Sequence, residues 1–170
     1  MILLFPLIGM EFNGNALRFG NTRGEAERLL GAAERVRGSR CYYLGGELAL
    51  DFDGADKLEF IECLGGSRGA LRPELYGVSV FEADADELLE QLASRGTPED
   101  LDGGYTVTVP ELSIGFYREI TPADVEAMVR EMSRMDVTTL GHVNLEEEYR
   151  RARRWDTVGI GGKDYYGASR

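Results

Sequence analysis

Carboxylates dominate one segment of the chain. The window from Glu82 to Asp102 holds eight acids and a single base, Arg95, which gives it a charge of −7. A field of this strength and sign attracts a basic partner and speeds the encounter. The alternative is a solvated helix face that keeps an acidic protein in solution. The predicted partner-binding residues are Glu82, Asp84, Asp86, Glu87, Glu90, Glu99, Asp100 and Asp102.

The chain has one histidine that is a candidate for acid–base catalysis. His142 is the only histidine, and imidazole is the side chain that ordinarily titrates near neutral pH. No carboxylate or nucleophile stands at a spacing that would fix it beside His142. The sequence therefore predicts a protein that is not an enzyme. The alternative is an enzyme or small-molecule-binding domain with its site between the two halves of the chain and His142 as the titrating group.

Patterns for metals and phosphates are incomplete. The acids around Asp53 and Gly54 lack the glycine and glutamate positions of a calcium loop, and one histidine with two cysteines gives no zinc ligand set. Lys163 follows two glycines but precedes Asp164, where a phosphate-binding loop needs serine or threonine. We predict no metal and no cofactor.

Capping residues and apolar spacing predict four helices that position these groups. Each begins at a residue whose side chain can accept a hydrogen bond from a backbone N–H. The first helix continues as a capping box, and the third has a proline at its first helical position. The first helix ends at Gly31, the second ends before Gly96, and the fourth reaches about Trp155. The four caps are Thr22, Asp84, Thr121 and Asn144.

Alternating apolar residues predict two hairpins, one on each side of the chain's midpoint. Leu48 to Phe60 alternates around Asp53-Gly54, and Tyr105 to Phe116 alternates around Pro110-Glu111. Each hairpin follows a strand and a helix, so we predict two βαββ repeats, residues 8–64 and 76–120, with a helix–strand tail, 121–170. The predicted fold class is α+β, with an antiparallel sheet and helices on one face. One α+β domain without duplication is the alternative.

The fourth helix carries a small basic cluster among acids. Its arginines can pair locally with Glu146, Glu147 and Glu148, or they can dock on the acidic segment of the same molecule. The basic residues are Arg150, Arg151, Arg153 and Arg154. Since the net charge is −11 and the sequence pI is about 4.6, we predict that neither nucleic acid nor a membrane surface is a partner.

The first ten residues are apolar but lack the basic start and cleavage site of a signal peptide. They are too short to cross a bilayer, so we expect a buried first strand and a cytoplasmic location. Cys41 and Cys63 then lie in predicted strands of a chain in a reducing compartment, where we expect two core thiols, with a disulfide between them as the alternative.

Aromatic residues near glycines and turns are a second candidate contact set, because interfaces favour tyrosine and tryptophan. The alternative is that Trp155, Tyr165 and Tyr166 hold the C-terminal tail against the body of the protein. The set comprises Tyr42, Tyr43, Tyr105, Tyr117, Tyr149, Trp155, Tyr165 and Tyr166.

Two features of the chain resemble known bacterial families. The stretch from Phe19 to Gly31, with its Gly-x-Thr start and Leu-Gly end, resembles the helix of small helix-plus-hairpin modules found in outer-membrane assembly lipoproteins and, in tandem, in β-lactamase inhibitory proteins. The whole arrangement of the chain, with its tail from Thr157 to Tyr166, looks like cytoplasmic bacterial proteins of the type found as immunity partners of polymorphic toxins. These resemblances imply a protein-binding, immunity-type inhibitor without catalytic residues. A homodimer with a purely structural role is a further alternative.

Overall fold

Two β-sheets and four helices make up the part of the chain that the structure describes, residues 1–134, 144–163 and 165–166 of a computed structural model. The predicted α+β class is confirmed. The helices are α1 (Arg23–Leu30), α2 (Ala85–Leu92), α3 (Pro122–Met132) and α4 (Leu145–Ala152). The strands are β1 (Ile2–Phe5), β2 (Gly9–Phe12), β3 (Asn15–Arg18), β4 (Arg35–Arg37), β5 (Arg40–Tyr43), β6 (Leu48–Phe52), β7 (Leu58–Cys63), β8 (Pro73–Leu75), β9 (Val78–Ser79), β10 (Glu99–Asp100), β11 (Thr106–Val109), β12 (Ile114–Tyr117) and β13 (Thr157–Gly161).

The larger sheet has eight antiparallel strands in the order β10-β11-β12-β13-β7-β6-β5-β4. Both predicted hairpins are present, β6 with β7 and β11 with β12. The strand β13 joins them, because Ile160 pairs with Ile114 on one side and with Ile61 on the other. The two hairpins therefore meet through a strand that comes from the C-terminal tail.

The smaller sheet has five strands in the order β3-β2-β1-β8-β9. It holds the strands that precede α1 and α2, which we had expected in one sheet with the hairpins, and its β1–β8 pair is parallel. The internal repeat stays a prediction. The expected buried first strand is present as β1, in which Ile2 and Leu4 are buried, but residues 1–10 also form a turn and the start of β2, and Phe5 and Ile8 are exposed.

All four predicted helix caps are confirmed. Thr22 and Thr121 each accept the backbone N–H three residues on, and Glu25 and Asp124 return the bond to the cap, which completes two capping boxes. Asp84 and Asn144 accept the amides of Glu87 and Glu147, respectively. α2 ends at Leu92 and α4 at Ala152, earlier than predicted, because the last residues of each segment form turns instead.

The core lies against one face of the large sheet, where alternate residues of neighbouring strands are buried. One registered row across five strands places Val107, Phe116, Val158, Cys63 and Leu48 side by side. Trp155 is fully buried, and its ring centre lies 5.3 Å from that of Phe116. Burial of a large apolar side chain contributes about 1.5–3 kcal/mol, so this row anchors the sheet.

The opposite face of the large sheet is covered in part by the C-terminal tyrosines. Tyr165 stacks on Phe60 with ring centres 4.5 Å apart. Tyr166 lies over the paired glycines Gly115 and Gly159, where an added Cβ at Gly115 would collide with the tyrosine hydroxyl. These glycines leave the space that the tail occupies.

Candidate protein-binding surface

The acidic segment begins at a joint between α2 and α4. Asp84 caps α2, and its second carboxylate oxygen accepts a hydrogen bond from Arg153 Nε at 2.8 Å. In return, the Ala85 amide donates to the carbonyl oxygen of Arg153 at 2.9 Å. The C-terminus of one helix thus meets the N-terminus of another, where their dipoles are complementary. Of the two interpretations of the α4 arginines, docking on the acidic segment holds for Arg153.

Glu82 is also paired within the molecule. Its carboxylate accepts a hydrogen bond from Arg72 Nε at 3.2 Å, and Arg72 donates further to the carbonyl oxygens of Gly69 and Leu71. Two of the eight predicted partner-binding residues, Glu82 and Asp84, therefore have part of their charge balanced by the protein's own arginines. Two of the other three arginines of the basic cluster pair elsewhere: Arg150 with Glu146 and Glu147, and Arg151 with Glu119.

Three carboxylates on α2 face the solvent and form the α2 carboxylate patch, defined as Asp86, Glu87 and Glu90. No ion pair involves any of them within residues 1–134, 144–163 and 165–166. The helix holds them on a rigid frame, since Leu88 and Leu92 bury its opposite side in the core. Their charge is available to a partner.

The other three predicted acids lie at the edge of the large sheet. Glu99 is in the edge strand β10, and Asp100 and Asp102 organise the loop that follows. Asp100 accepts hydrogen bonds from the backbone N–H groups of Gly104 and Asp102, and these bonds lower its pKa. Asp102 accepts from the amide and the hydroxyl of Thr106. Asp100 therefore stays ionised while it shapes the loop, and all three side chains are exposed.

Beneath this loop lies a buried arginine that sequence reasoning did not identify. Arg118 is only 6% exposed, and it donates to the carbonyl oxygens of Gly104 and Ala152 at 2.7 and 2.9 Å. Its guanidinium also lies over the Trp155 ring, 4.9 Å from the ring centre. Arg118 connects the acidic loop to the end of α4, so both ends of the acidic segment are fixed by arginines.

The catalytic alternative rested on His142, which lies outside the described residues. Among the residues that the structure does describe, no group of three or more His, Cys, Asp or Glu is arranged to hold a metal ion. A partly buried cluster of charged side chains lies on the large sheet, where Arg40 contacts both Asp51 and Glu62. Burial raises the pKa of Asp51, and Arg40 opposes that shift.

The aromatic contact set divides between core and surface. The interface expectation is wrong for Tyr43 and Trp155, which are buried, and the stacking of Tyr165 on Phe60 supports the alternative that the tail is pinned to the body. Tyr117 and Tyr149 are exposed, as expected. Tyr76, which was not in the set, is 47% exposed and stacks with Arg95 at 4.3 Å. The sequence signal that could have identified Tyr76 as exposed is the glycine that follows it, which is typical of a turn.

No family model, curated protein or solved structure matches the chain. In the described part of the chain, no helix is both long enough and apolar enough to cross a bilayer. The acidic surface, in which the arginines that the structure describes pair with some carboxylates and leave others free, is therefore the strongest indication of a function.

Proposed function

We propose that the protein is a non-enzymatic, cytoplasmic binding module, an immunity-type inhibitor that occludes a basic protein partner. The observation that carries the proposal is the α2 carboxylate patch. Asp86, Glu87 and Glu90 are exposed on one short helix and have no cationic partner in the described part of the chain, although arginines of the same protein pair with the neighbouring Glu82 and Asp84.

The division of the eight acids supports binding over simple solvation. The internal ion pairs and hydrogen bonds hold the ends of the acidic segment, through Asp84 and Arg153 at one end and Arg118 at the other. A charged surface on a fixed frame loses little conformational entropy when a partner binds. The patch therefore supplies both attraction and a defined geometry.

The net negative charge of the whole protein also favours a basic protein as the partner. At a net charge of −11, a nucleic acid is repelled, whereas a basic protein is attracted over the whole molecule and held at the patch. Such an interaction weakens with added salt, because the Debye length falls from about 10 Å at 0.1 M to about 3 Å at 1 M.

A pull-down with the tagged protein from its source cell tests this proposal. We expect a retained basic protein that elutes at raised salt and that the double reversal Glu87→Lys, Glu90→Lys no longer retains. The matched control is Glu126→Lys, Glu131→Lys on α3, which changes the net charge equally at other exposed positions. Retention that neither salt nor the α2 reversal affects would show that the patch is not the binding surface.

A further inference from the structure

Two turns leave the five-stranded sheet at the same end. The strands β1 and β8 are parallel, and Leu4 is level with Leu75. The turns that follow these residues, 6–8 and 76–77, therefore lie at one end of the sheet. Residues 6–8 connect β1 to β2, and residues 76–77 connect β8 to β9.

Both turns expose large side chains where turns usually carry polar residues or glycine. Leu7 is 41% exposed and Ile8 is 53% exposed, and Phe5 at the end of β1 is 40% exposed. Tyr76 in the other turn is 47% exposed. Scattered apolar side chains on a surface are ordinary, but a group of them at one end of a sheet marks an interaction site.

The backbone of these turns is held in a conformation that their residues disfavour. Leu7 has φ = 65° and Tyr76 has φ = 52°, in the left-handed region that glycine and asparagine adopt at less cost. Strain of this kind is typical of positions retained for binding.

Ile8 borders a cleft that is large enough for one side chain of a partner. Its walls are mostly apolar residues of β1, β2 and β3, among them Phe5, Met10 and Leu17, with Glu11 and Arg18 as charged members, and its volume is about 250 Å³. Small-molecule sites enclose about 300–1,000 Å³. The cleft fits one large apolar side chain of a partner better than a cofactor.

The other turn connects this end of the sheet to α2. Tyr76 borders a second cleft together with Leu88 and Gln91, and Arg95 stacks on its ring. Glu87 lies one helical turn before Gln91 on the same side of α2. The turn at 76–77 thus adjoins α2, which carries the α2 carboxylate patch, and this proximity indicates a partner that is apolar at one point and basic beside it.

We infer that the turns at 6–8 and 76–77 are the apolar anchor of the binding surface, and that they take a large apolar side chain flanked by lysines or arginines. This inference rests on the proposed function, because it names the chemistry of the segment that the acidic patch attracts. Apolar anchors in pockets generally carry most of the binding energy, whereas a charged rim contributes attraction and specificity.

Amide NMR titration with two synthetic peptides tests the inference. One peptide has Phe-Leu between two pairs of lysines, and the control peptide has Ala-Ala in that place. We expect the Phe-Leu peptide to bind about tenfold tighter, which corresponds to the burial of one large side chain. Its shifts should include the amides of Leu7, Ile8 and Tyr76 as well as those of α2, whereas the control should shift only α2.

The outcomes separate the two proposals. Equal binding of both peptides with shifts confined to α2 would overturn the apolar anchor and leave the acidic surface standing. Absence of shifts in α2 with either peptide would overturn the proposed function. Concentration-dependent dimerisation of the free protein that Ile8→Asp abolishes would also overturn the anchor, since a second copy would then cover the turns.

Matched variants keep the test independent of folding. The double variant Leu7→Asn, Tyr76→Asn removes the apolar surface of both turns. It keeps the left-handed backbone conformation accessible, because asparagine adopts that conformation at little cost. We expect about a tenfold loss for the Phe-Leu peptide and no change for the control. Val36→Asn removes an exposed apolar side chain from the edge strand β4, 50% exposed, and should leave both affinities unchanged. An equal loss in this control would contradict the inference.

Discussion

Asp84 and Arg153 are 69 residues apart in the chain, and their side chains meet at 2.8 Å. The same aspartate caps α2, accepting hydrogen bonds from the amides of Asp86 and Glu87. One carboxylate therefore starts a helix and ties it to the end of α4. The acidic segment is built on this contact, and the unpaired charges begin with the next residue that faces the solvent.

We predict that Asp84→Ala lowers the free energy of unfolding by about 1–2 kcal/mol. Loss of the cap costs about 1 kcal/mol, and the ion pair, whose arginine is largely exposed, contributes at most about 1 kcal/mol. Urea unfolding measures the loss, and Asp86→Ala, an exposed position in the first turn, should change stability by less than about 0.5 kcal/mol. Equal losses in the two variants would contradict the dual role of Asp84.

Replacement of Arg118 should be the most disruptive change at the acidic loop. Arg118→Leu leaves the carbonyl oxygens of Gly104 and Ala152 without their donor, and we expect a loss of about 2–4 kcal/mol. Trp155, the only tryptophan of the chain, reports unfolding by its fluorescence. Arg118→Lys keeps the charge and should lose less. A loss below about 1 kcal/mol in Arg118→Leu would show that the loop does not depend on this arginine.

Gly115 and Tyr166 should be energetically coupled. Gly115→Ala places a methyl group where the Tyr166 hydroxyl lies, so we expect a loss of about 1–3 kcal/mol. Tyr166→Ala removes the obstacle, and the double variant should then be no less stable than Tyr166→Ala alone. A double-mutant cycle by urea unfolding measures this coupling. Strict additivity would mean that the tail does not pack on the glycine.

Asp124 should make stability depend on pH. Hydrogen bonds from the Thr121 backbone and the Tyr105 hydroxyl lower its pKa below the unfolded value of about 3.9. Its contribution is therefore fully present above that value and is lost as the pH falls through the lower, folded pKa.

The measurement is the difference in unfolding free energy between the unmodified protein and Asp124→Asn. We expect this difference to be largest near neutral pH and to shrink in acid. Glu126→Gln, on the same helix, is the matched control for loss of an exposed carboxylate. A difference that is constant from about pH 6 to about pH 3 would contradict the role assigned to these hydrogen bonds.

The two cysteines should be unreactive in the folded protein. Burial raises the pKa of Cys41 and raises that of Cys63 to about 12, so little thiolate forms. They lie on β5 and β7 with β6 between them, and both are free. We expect no reaction with a disulfide reagent at pH 8 and two reactive thiols in urea. Rapid labelling of the native protein would contradict this burial.

Local signals in the sequence predicted the local structure well. The four caps follow from side chains that bond to amides two or three residues away, and the hairpins follow from alternation within one segment. Such interactions need no knowledge of the rest of the chain.

The contacts that shape the candidate surface could not be predicted in this way. Arg153 reaches Asp84, and Arg118 reaches Ala152, because the fold brings distant segments together. The sequence suggested that arginines of α4 could dock on the acids but did not select Arg153 among four. The exposure of Leu7 was missed because an apolar residue in a strand pattern predicts burial, and the turn that overrides it depends on strand pairing. Tyr76 was left out of the aromatic set although the glycine that follows it is typical of a turn.

The position of β13 governs the order of assembly. The large sheet can close only after residues 157–161 leave the ribosome, because this strand separates β12 from β7. Until then, each hairpin presents an open edge to other nascent chains. These edges therefore stay open until the whole of β13 has been synthesised, and a chaperone that shields them before then is expected to raise the yield of folded protein.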